Sequence, residues 1–261
     1  MKFSIGVVLE SFELSTDAAL AKAAELGVDG IQMYTTEGAA APENMSSMDR
    51  KTLLAKLRSY GLTFSALCGD FKQGGFGDAE KNKILVERSK KVVDLAVDLE
   101  TNIVTTHIGI VPEDSQCEVY KIMQEACGTL GNYAEQKGVR FAVETGPETA
   151  ESLKIFLDSL GGKGISVNMD PANLVMARGE NPVQAVYTLR DYIVHTHAKD
   201  GIKGGKGKDV RLGTGQVDFD AYLAALSDIG YQGFLTIERE AGENRVTDIA
   251  DGIAFLRNKM L

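Results

Sequence analysis

The hydrophobic and polar residues of the chain repeat one local pattern, in which a helical stretch ends in glycine and a short apolar run follows. The pattern occurs at Gly27, Gly61, Gly138 and Gly230. Glycine just past a helix takes the left-handed conformation that ends the helix, and a short, bounded run of β-branched and aromatic residues is typical of a strand. The repeat therefore predicts alternating helices and strands that form a parallel sheet.

Eight strands are predicted in this way, with helical patterns between them. The predicted strands cover residues 2–8, 29–34, 62–68, 102–107, 139–144, 165–170, 193–197 and 234–238. The predicted helices cover residues 15–26, 46–59, 78–98, 115–137, 149–159, 182–190, 218–229 and 245–259. Eight βα units favour a closed α/β barrel, the (β/α)8 TIM barrel, over an open sheet. The 261 residues agree with the roughly 250 that such a barrel needs.

A single domain over residues 1–261 is expected, because no Pro-rich or Ser-rich tract breaks the chain. Two glycine-rich loops, residues 71–77 and 200–215, follow the third and seventh predicted strands. Both should lie at the C-terminal face of the barrel, where active sites of this fold are built. Neither contains the GK[ST] sequence of a phosphate-binding loop. Gly74, Gly75 and Gly77 suit either the hinge of a lid or a plain surface loop.

Composition narrows the class of protein. The net charge of −9 and the pI of about 5.0 argue against a nucleic-acid-binding protein, which normally presents a basic face. The three cysteines form no CxxC pair, so neither a zinc knuckle nor a disulfide framework is expected. The N-terminal apolar run is too short for a signal peptide, and no run approaches the length of a membrane span. We therefore expect a cytoplasmic protein.

The last four predicted strands each end in a residue that can bind a metal ion. These residues are Glu144, Asp170, His197 and Glu238. Side chains alternate along a strand, and the neighbouring Val143, Met169 and Ile237 suit the helix layer, so the four strand ends should point into the barrel. One acidic residue at a strand end is usually a helix cap or solvated. Capping does not readily explain four successive strands, and carboxylates that face one another repel unless a cation lies between them.

The same alternation predicts which further side chains point inward. They are Ala142, Asn168, His195 and Thr236. His195 would lie one layer deeper than His197, and we expect it to be a hydrogen-bonded core residue rather than a ligand.

Three carboxylates and one imidazole favour a single divalent ion. Oxygen ligands suit Mg and Mn, whereas imidazole favours Zn, Co or Mn, so Mn is the expected ion and Mg, Co and Zn are the alternatives. Four protein ligands on an octahedral ion leave about two positions for water or substrate oxygens.

The strand ends and their flanking segments resemble the xylose isomerase-like barrel superfamily, in its sugar phosphate isomerase/epimerase branch. The resemblance spans nearly the whole chain and rests on Thr106-His107-Ile108-Gly109, Val143-Glu144-Thr145, Met169-Asp170-Pro171-Ala172-Asn173, His195-Thr196-His197-Ala198-Lys199-Asp200, Leu212-Gly213-Thr214-Gly215 and Thr236-Ile237-Glu238. It specifies the fold and the metal well and the substrate poorly. In this family the metal ligands fall on Glu144, Asp170, His197 and Glu238.

The ligand set suggests proton transfer next to a carbonyl. A keto sugar or sugar phosphate with two oxygens on the ion would lose a carbon-bound proton to give an enediolate that the ion stabilises. Glu144 and Glu238 come from non-adjacent strands and could flank the substrate, one removing the proton and the other returning it. The resemblance implies these catalytic roles, as in the family's epimerases. The expected class is thus an isomerase or epimerase of carbohydrate metabolism.

Other residues are candidates for substrate binding: His107, Asn173, Lys199 and Arg211. Lys199 and Arg211 belong with Lys203, Lys206 and Lys208 to a basic cluster that could meet a phosphate or carboxylate, or could be a solvated loop. Asn173 stands where several of the family's epimerases and its inosose dehydratases have histidine. Because asparagine cannot shuttle a proton near neutral pH, this departure weakens an assignment to a ketose 3-epimerase.

Three other functions compete with the isomerase or epimerase. A metal-dependent dehydratase of a keto-polyol such as inosose or dehydroshikimate would share the first proton abstraction. An abasic-site endonuclease would need additional histidines, and the chain has three in all. A non-catalytic sugar-binding protein would not need the pair of glutamates. The expected partner is a small-molecule sugar, with no nucleic acid or membrane, and a homo-oligomer is possible.

Overall fold

The computed structural model describes residues 3–162, 164–205 and 207–261. Its strands are β1 (Ser4–Val8), β2 (Gly30–Tyr34), β3 (Thr63–Cys68), β4 (Ile103–Thr106), β5 (Arg140–Glu144), β6 (Ile165–Met169), β7 (Ile193–Ala198), β8 (Asp200–Ile202), β9 (Lys208–Val210) and β10 (Phe234–Ile237). Strands β1 to β7 and β10 pair in parallel and close into a barrel, in which β10 lies between β7 and β1. The predicted (β/α)8 TIM barrel is confirmed.

Helices surround this barrel. They are α1 (Thr16–Glu25), α2 (Ser47–Ser59), α3 (Ala79–Asp98), α4 (Glu118–Gln136), α5 (Ala150–Leu160), α6 (Pro171–Arg178), α7 (Pro182–Leu189), α8 (Phe219–Asp228) and α9 (Arg245–Met260), with short 3-10 helices at Leu9–Phe12, Gly38–Ala40 and Pro42–Asn44. The four glycines of the repeated pattern all have φ between +69° and +75°, as expected for residues that end a helix. Within the described residues, no helix combines the length and hydropathy of a membrane span.

Helix α6 was not predicted, although the sequence carries the signals of its two ends. Asp170 caps its first turn, Pro171 occupies the first helical position, and Gly179 ends it with φ of +70°. At eight residues the helix is too short to display a clear amphipathic period. It matters for the site because it begins at a candidate metal ligand.

The described part of the loop at residues 200–215 contains the antiparallel hairpin formed by β8 and β9. Buried Asp200 organises the base of the hairpin. Its Oδ2 accepts the N–H groups of Gly213 at 3.0 Å and Gly215 at 2.8 Å, and its Oδ1 accepts that of Val217 at 3.1 Å. A Cβ at Gly215 would lie 2.1 Å from Asp200 Oδ1, so glycine is needed for this approach.

The loop at residues 71–77 packs against the loop after β4. The Phe76 N–H donates to Ile108 O at 2.8 Å. Gly75 has φ of +82°, and a Cβ there would lie 2.0 Å from Ile108 O. The backbone of this loop is therefore held close to the segment that follows His107.

Polar side chains fill part of the barrel interior. His195 is buried; its Nδ1–H donates to Asn168 Oδ1 at 2.9 Å, and its Nε2 accepts from Thr236 Oγ1 at 3.0 Å. Thr236 also forms a hydrogen bond with Ser65 on β3 at 3.2 Å. The predicted inward direction of these side chains is confirmed, as is the hydrogen-bonded core role of His195. Burial lowers the pKa of His195 well below its ordinary value, so its ring is neutral.

The alternate residues of the same strands face the helices. Val143, Met169 and Ile237 are fully or almost fully buried. Ile237 lies beside Gly252 of α9, where an added Cβ would be 3.5 Å from its Cδ1. The alternation therefore separates an apolar outer layer from a polar interior that leads to the C-terminal face.

Candidate metal centre

Four buried side chains meet where β5, β6, β7 and β10 end. Glu144 is the last residue of β5, Asp170 and Glu238 directly follow β6 and β10, and His197 lies near the end of β7. Each offers one potential ligand atom, and these four atoms all lie within 4.8 Å of one another. The structure thus brings together all four residues that the sequence analysis selected as ligands.

The ligand atoms surround His197 Nδ1. Glu144 Oε1 lies 3.3 Å from this nitrogen, and Asp170 Oδ2 and Glu238 Oε2 each lie 3.5 Å from it. All four side chains are at most 7% exposed. Three buried carboxylates at this spacing repel one another unless positive charge lies among them.

A hydrogen bond prepares the imidazole of His197 for a metal ion. Its Nε2 lies 3.2 Å from Gln32 Oε1, an acceptor, and 3.3 Å from the amide nitrogen of Asn168. When Nε2 donates to Gln32 in the neutral ring, Nδ1 keeps a lone pair for an ion. Such a partner on the far nitrogen is the usual way in which a protein orients a histidine ligand. The sequence analysis missed Gln32, although a glutamine within the apolar β2 was a signal of a buried polar contact.

The two carboxylate oxygens of Asp170 have different roles. Oδ1 accepts the N–H groups of Ala172 at 2.8 Å and Asn173 at 2.9 Å, and so caps α6. Oδ2 is buried, and neither it nor His197 Nδ1 has a hydrogen-bond partner in the described part of the chain. Unpartnered buried polar atoms are costly. Asp170 Oδ2 and His197 Nδ1 lie 3.5 Å apart, with Glu144 and Glu238 beside them. This pair of unpartnered atoms fits a divalent ion that accepts oxygen and nitrogen ligands.

The charges of the cluster shift its pKa values in different directions. Burial lowers the pKa of His197, but the charges of Glu144 and Glu238 outweigh burial and raise it well above the ordinary value. Burial raises the pKa of Glu144, but the charges of His197 and His107 hold it well below the usual range. Burial dominates at Glu238, whose pKa is raised despite the nearby charges of Lys199 and His197. Without a bound ion the imidazole therefore takes up a proton as the counter-charge.

Lys199 lies inside the site rather than in a solvated loop. It is 2% exposed, its Nζ donates to Glu238 Oε2 at 2.8 Å and also to Glu240, and it lies 3.8 Å from Asp170 Oδ2. Burial lowers the pKa of Lys199, but these carboxylates raise it well above the ordinary value, so the ammonium stays charged.

Lys199 is set apart from the other described residues of the predicted basic cluster. Arg211 is 56% exposed, and its Nη1 lies 3.8 Å from Asp251. Lys203 Nζ donates to Arg178 O at 2.8 Å. Lys206 lies outside the described residues. Lys199 is thus separated from the loop cations by its burial, and a substrate-binding role for Arg211 stays a prediction.

His107 and Asn173 lie on the Glu144 side of the cluster. Asn173 Nδ2 donates to Glu144 Oε1 at 3.0 Å. His107 Nε2 is 3.7 Å from the same oxygen, and its Nδ1 is hydrogen-bonded to Asp70 at 3.0 Å. The charge of Glu144 and the hydrogen bond to Asp70 raise the pKa of His107 to about 9. Asp70 was missed, because nothing in the residues around it marks a site.

Comparisons with known proteins agree with this fold. The family model for the xylose isomerase-like TIM barrel matches residues 20–259, and the chain belongs to this family. The crystal structure of a xylose isomerase domain protein from Planctomyces limnophilus is 26% identical, with a TM-score of 0.87 over 98% of this chain and 96% of that one. That of a D-tagatose 3-epimerase-like protein is 21% identical, with a TM-score of 0.80 over 99% and 100%.

A curated relative carries a dehydratase name. The inosose dehydratase of Clostridium beijerinckii is 23% identical over 145 residues, which are 47% of this chain and 48% of that protein. The chain spans about half the length of the curated relatives it matches.

Proposed function

We propose that the protein is a divalent-metal-dependent isomerase or epimerase that acts on a keto sugar or sugar phosphate by moving a proton next to the carbonyl. One observation carries the proposal: two buried glutamates from non-adjacent strands, Glu144 and Glu238, both lie within 3.5 Å of the same nitrogen of His197. Glutamates placed in this way can reach a small substrate from two sides. The epimerase-like structural neighbour adds support for the same chemistry.

The chain's own residues supply the acid and base in this proposal. Glu144, Asp170, His197 and Glu238 would hold the ion, which when bound supplies a Lewis acid for the negative charge that develops on the substrate oxygens. One glutamate accepts the carbon-bound proton, and the other donates a proton to the opposite face for epimerisation or to the neighbouring carbon for isomerisation. In this proposal His107 and Asn173 would donate hydrogen bonds to substrate hydroxyl groups beside Glu144.

Mn²⁺ is the ion we propose, with Mg²⁺, Co²⁺ and Zn²⁺ as alternatives. Three carboxylate oxygens with one imidazole nitrogen suit an ion that accepts both types of ligand. A cytoplasmic location and a homo-oligomeric state remain predictions from the sequence, as does the single domain over residues 1–261.

A dehydratase is the second candidate, and the inosose dehydratase relative favours it. The first proton abstraction would be the same. The substrate would then lose a hydroxyl group instead of regaining a proton, and the buried ammonium of Lys199, 2.8 Å from Glu238, could donate a hydrogen bond to that departing oxygen.

Proton NMR in heavy water tests both candidates together. The Mn²⁺-loaded protein is incubated with keto sugars, their phosphates and keto-polyols, the ion is removed with a chelator, and the signal of the proton next to the carbonyl is followed. Loss of that signal with a new epimer or isomer supports the main proposal, whereas an enone product supports the dehydratase. Sugar binding without exchange across the panel would contradict both and favour a binding protein.

A further inference from the structure

One buried carboxylate fastens the β8–β9 hairpin to the segment after β10. Asp209, on β9, accepts the backbone N–H groups of Glu240 at 2.7 Å and Ala241 at 2.9 Å through its Oδ2. Its Oδ1 lies 2.8 Å from Arg239 Nη1, and its side chain is only 7% exposed. Two consecutive backbone donors therefore depend on a single side chain of the hairpin, which also lies against one nitrogen of the Arg239 guanidinium.

The segment that Asp209 holds begins directly after Glu238. The strand β10 ends at Ile237, and beyond it the regular ladder is replaced by individual contacts. The Glu238 N–H donates to Ala198 O at 3.3 Å, and the Arg239 N–H donates to Ser11 Oγ at 3.0 Å. Without the Asp209 carboxylate the next two N–H groups, which lie in an exposed part of the chain, would bond to water or to other groups, and the segment would lose this attachment to the hairpin.

The side chains form a second connection to the same glutamate. Glu240, whose backbone Asp209 fixes, binds the Lys199 ammonium with its carboxylate. Lys199 in turn donates to Glu238 Oε2 at 2.8 Å. Asp209 thus reaches Glu238 both through the backbone and through the Glu240–Lys199 pair.

The hairpin is itself held on its other side by α6. A Cβ added at Gly201 would lie 2.6 Å from the Met176 side chain, and one at Gly207 would lie 2.7 Å from it. The hairpin backbone therefore packs closely against Met176 of α6, the helix that begins at Asp170. Because the hairpin packs against α6, Asp209 has a fixed position from which it can bind residues 239–241.

We propose that Asp209 is a positioning residue that, by joining the hairpin to residues 239–241, keeps Glu238 in place at the candidate metal centre. The inference rests on the proposed function to the extent that Glu238 is a metal ligand. In this inference Asp209 helps to fix the position of Glu238, although Asp209 lies outside the four strand ends and would contact neither the ion nor the substrate.

Asp248 provides a matched control. Its Oδ2 accepts from Arg239 Nε at 2.9 Å, and its side chain is 12% exposed, so it is the second carboxylate on the same guanidinium. Asp248 belongs to α9 and makes no contact with the hairpin among the described interactions. Asp209→Asn and Asp248→Asn each remove one negative charge from Arg239. Only Asp209 also accepts the N–H groups of Glu240 and Ala241, and a neutral amide oxygen binds these donors more weakly than a carboxylate does.

The test is the Mn²⁺ affinity of the two variants, measured by calorimetry, with thermal unfolding in EDTA as a measure of stability. Asp209→Asn should weaken Mn²⁺ binding about tenfold, as loss of a residue behind a ligand usually does. Asp248→Asn should lower the unfolding temperature to a similar extent and change the affinity by less than about twofold. Equal effects of the two variants on affinity, or an unchanged affinity in Asp209→Asn, would overturn the proposal.

Glu240→Gln keeps the inference testable if Asp209→Asn fails to fold, because this side chain is 59% exposed. Without the Glu240 charge, Lys199 pairs more fully with Glu238 and competes with the ion, so binding should weaken about threefold. An unchanged affinity would contradict the proposal.

The wild-type protein separates the two proposals. If it binds Mn²⁺ but turns over no sugar, the proposed function is overturned, and the comparison of Asp209→Asn with Asp248→Asn still decides the inference. Wild-type protein that binds no divalent ion would overturn both.

Discussion

The two glutamates of the candidate metal centre are equally buried but are held by different kinds of partner. Glu144 accepts hydrogen bonds from the neutral amides of Asn168 at 3.3 Å and Asn173 at 3.0 Å. Glu238 instead faces the ammonium of Lys199, which Glu240 also binds. The Glu144 side of the site thus combines amides on β6 and α6 with the imidazoles of His107 and His197. The Glu238 side is built around the ammonium of Lys199 and the carboxylate of Glu240.

This difference shows that environment, not residue type, sets the character of each carboxylate. Burial raises the pKa of both, yet the cations near Glu144 hold its pKa below the usual range while the pKa of Glu238 is raised. In the ion-free site the two glutamates therefore differ in proton affinity. The following experiments test this contrast, beginning with the largest expected effect.

Neutralising either glutamate should have the largest effect. Glu144→Gln and Glu238→Gln should each slow proton exchange in heavy water about 10³-fold, because each removes both an acid–base group and a ligand. Metal content is measured in parallel, so that loss of the ion can be separated from loss of the proton acceptor. Full activity in either variant would remove that glutamate from the mechanism.

The Lys199 side of the site should matter more for stability than the Asn173 side. In EDTA, Lys199→Met should lower the free energy of unfolding by about 3 kcal/mol, because it leaves buried carboxylates without their counter-ion. Asn173→Ala should cost about 2 kcal/mol, because its amide donates to the Glu144 carboxylate and to Thr145 O.

Urea denaturation measures both free energies, and Lys203→Met, which removes an exposed ammonium, is the control. Equal losses in Lys199→Met and Asn173→Ala would show that the two sides do not differ energetically.

His197 lies between the two sides, and its orientation depends on Gln32. Gln32→Leu removes the acceptor of the Nε2 proton, and Mn²⁺ affinity should fall about tenfold because the ring is no longer held with Nδ1 toward the carboxylates. Ser65→Ala, also inside the barrel but without contact to His197, should leave the affinity within about twofold. An unchanged affinity in Gln32→Leu would mean that packing alone orients the ring.

The smallest effect is expected at Glu148, in the loop after β5. It is 4% exposed, its Oε2 has no hydrogen-bond partner in the described residues, and burial raises its pKa. The folded state therefore binds its proton more tightly than the unfolded state, and the stability that this group contributes is lost as pH rises through the folded pKa.

Glu148→Gln should accordingly raise the unfolding temperature by about 2 °C at pH 8, and the gain should vanish as pH falls toward 4.5, the ordinary value for glutamate. Calorimetry of both proteins across this range measures the difference, with exposed Glu113→Gln as the control. A gain that does not depend on pH would exclude charge as the cause.

Much of the barrel could be predicted from the sequence, because its signals are local. Glycines that end helices and short β-rich runs mark the βα units without reference to the rest of the chain. The alternation of side chains was enough to select Glu144, Asp170, His197 and Glu238, since strand direction and period place them at one end of the barrel. Their roles as ligands and catalysts stay predictions until metal binding and exchange are measured.

Only the tertiary structure decided what surrounds these four residues. Lys199 belongs by sequence to a basic loop, yet the turn into the β8–β9 hairpin buries its ammonium against Glu238. Gln32 and His197 are 165 positions apart and meet only because the barrel closes. A register shift between β6 and β7 places His195 opposite Asn168, and no local pattern predicts such a shift. The sequence determined the strands and their ends because period and turn signals act over a few residues. The charges and hydrogen bonds that give each end its chemistry come from contacts between distant segments, which exist only in the folded chain.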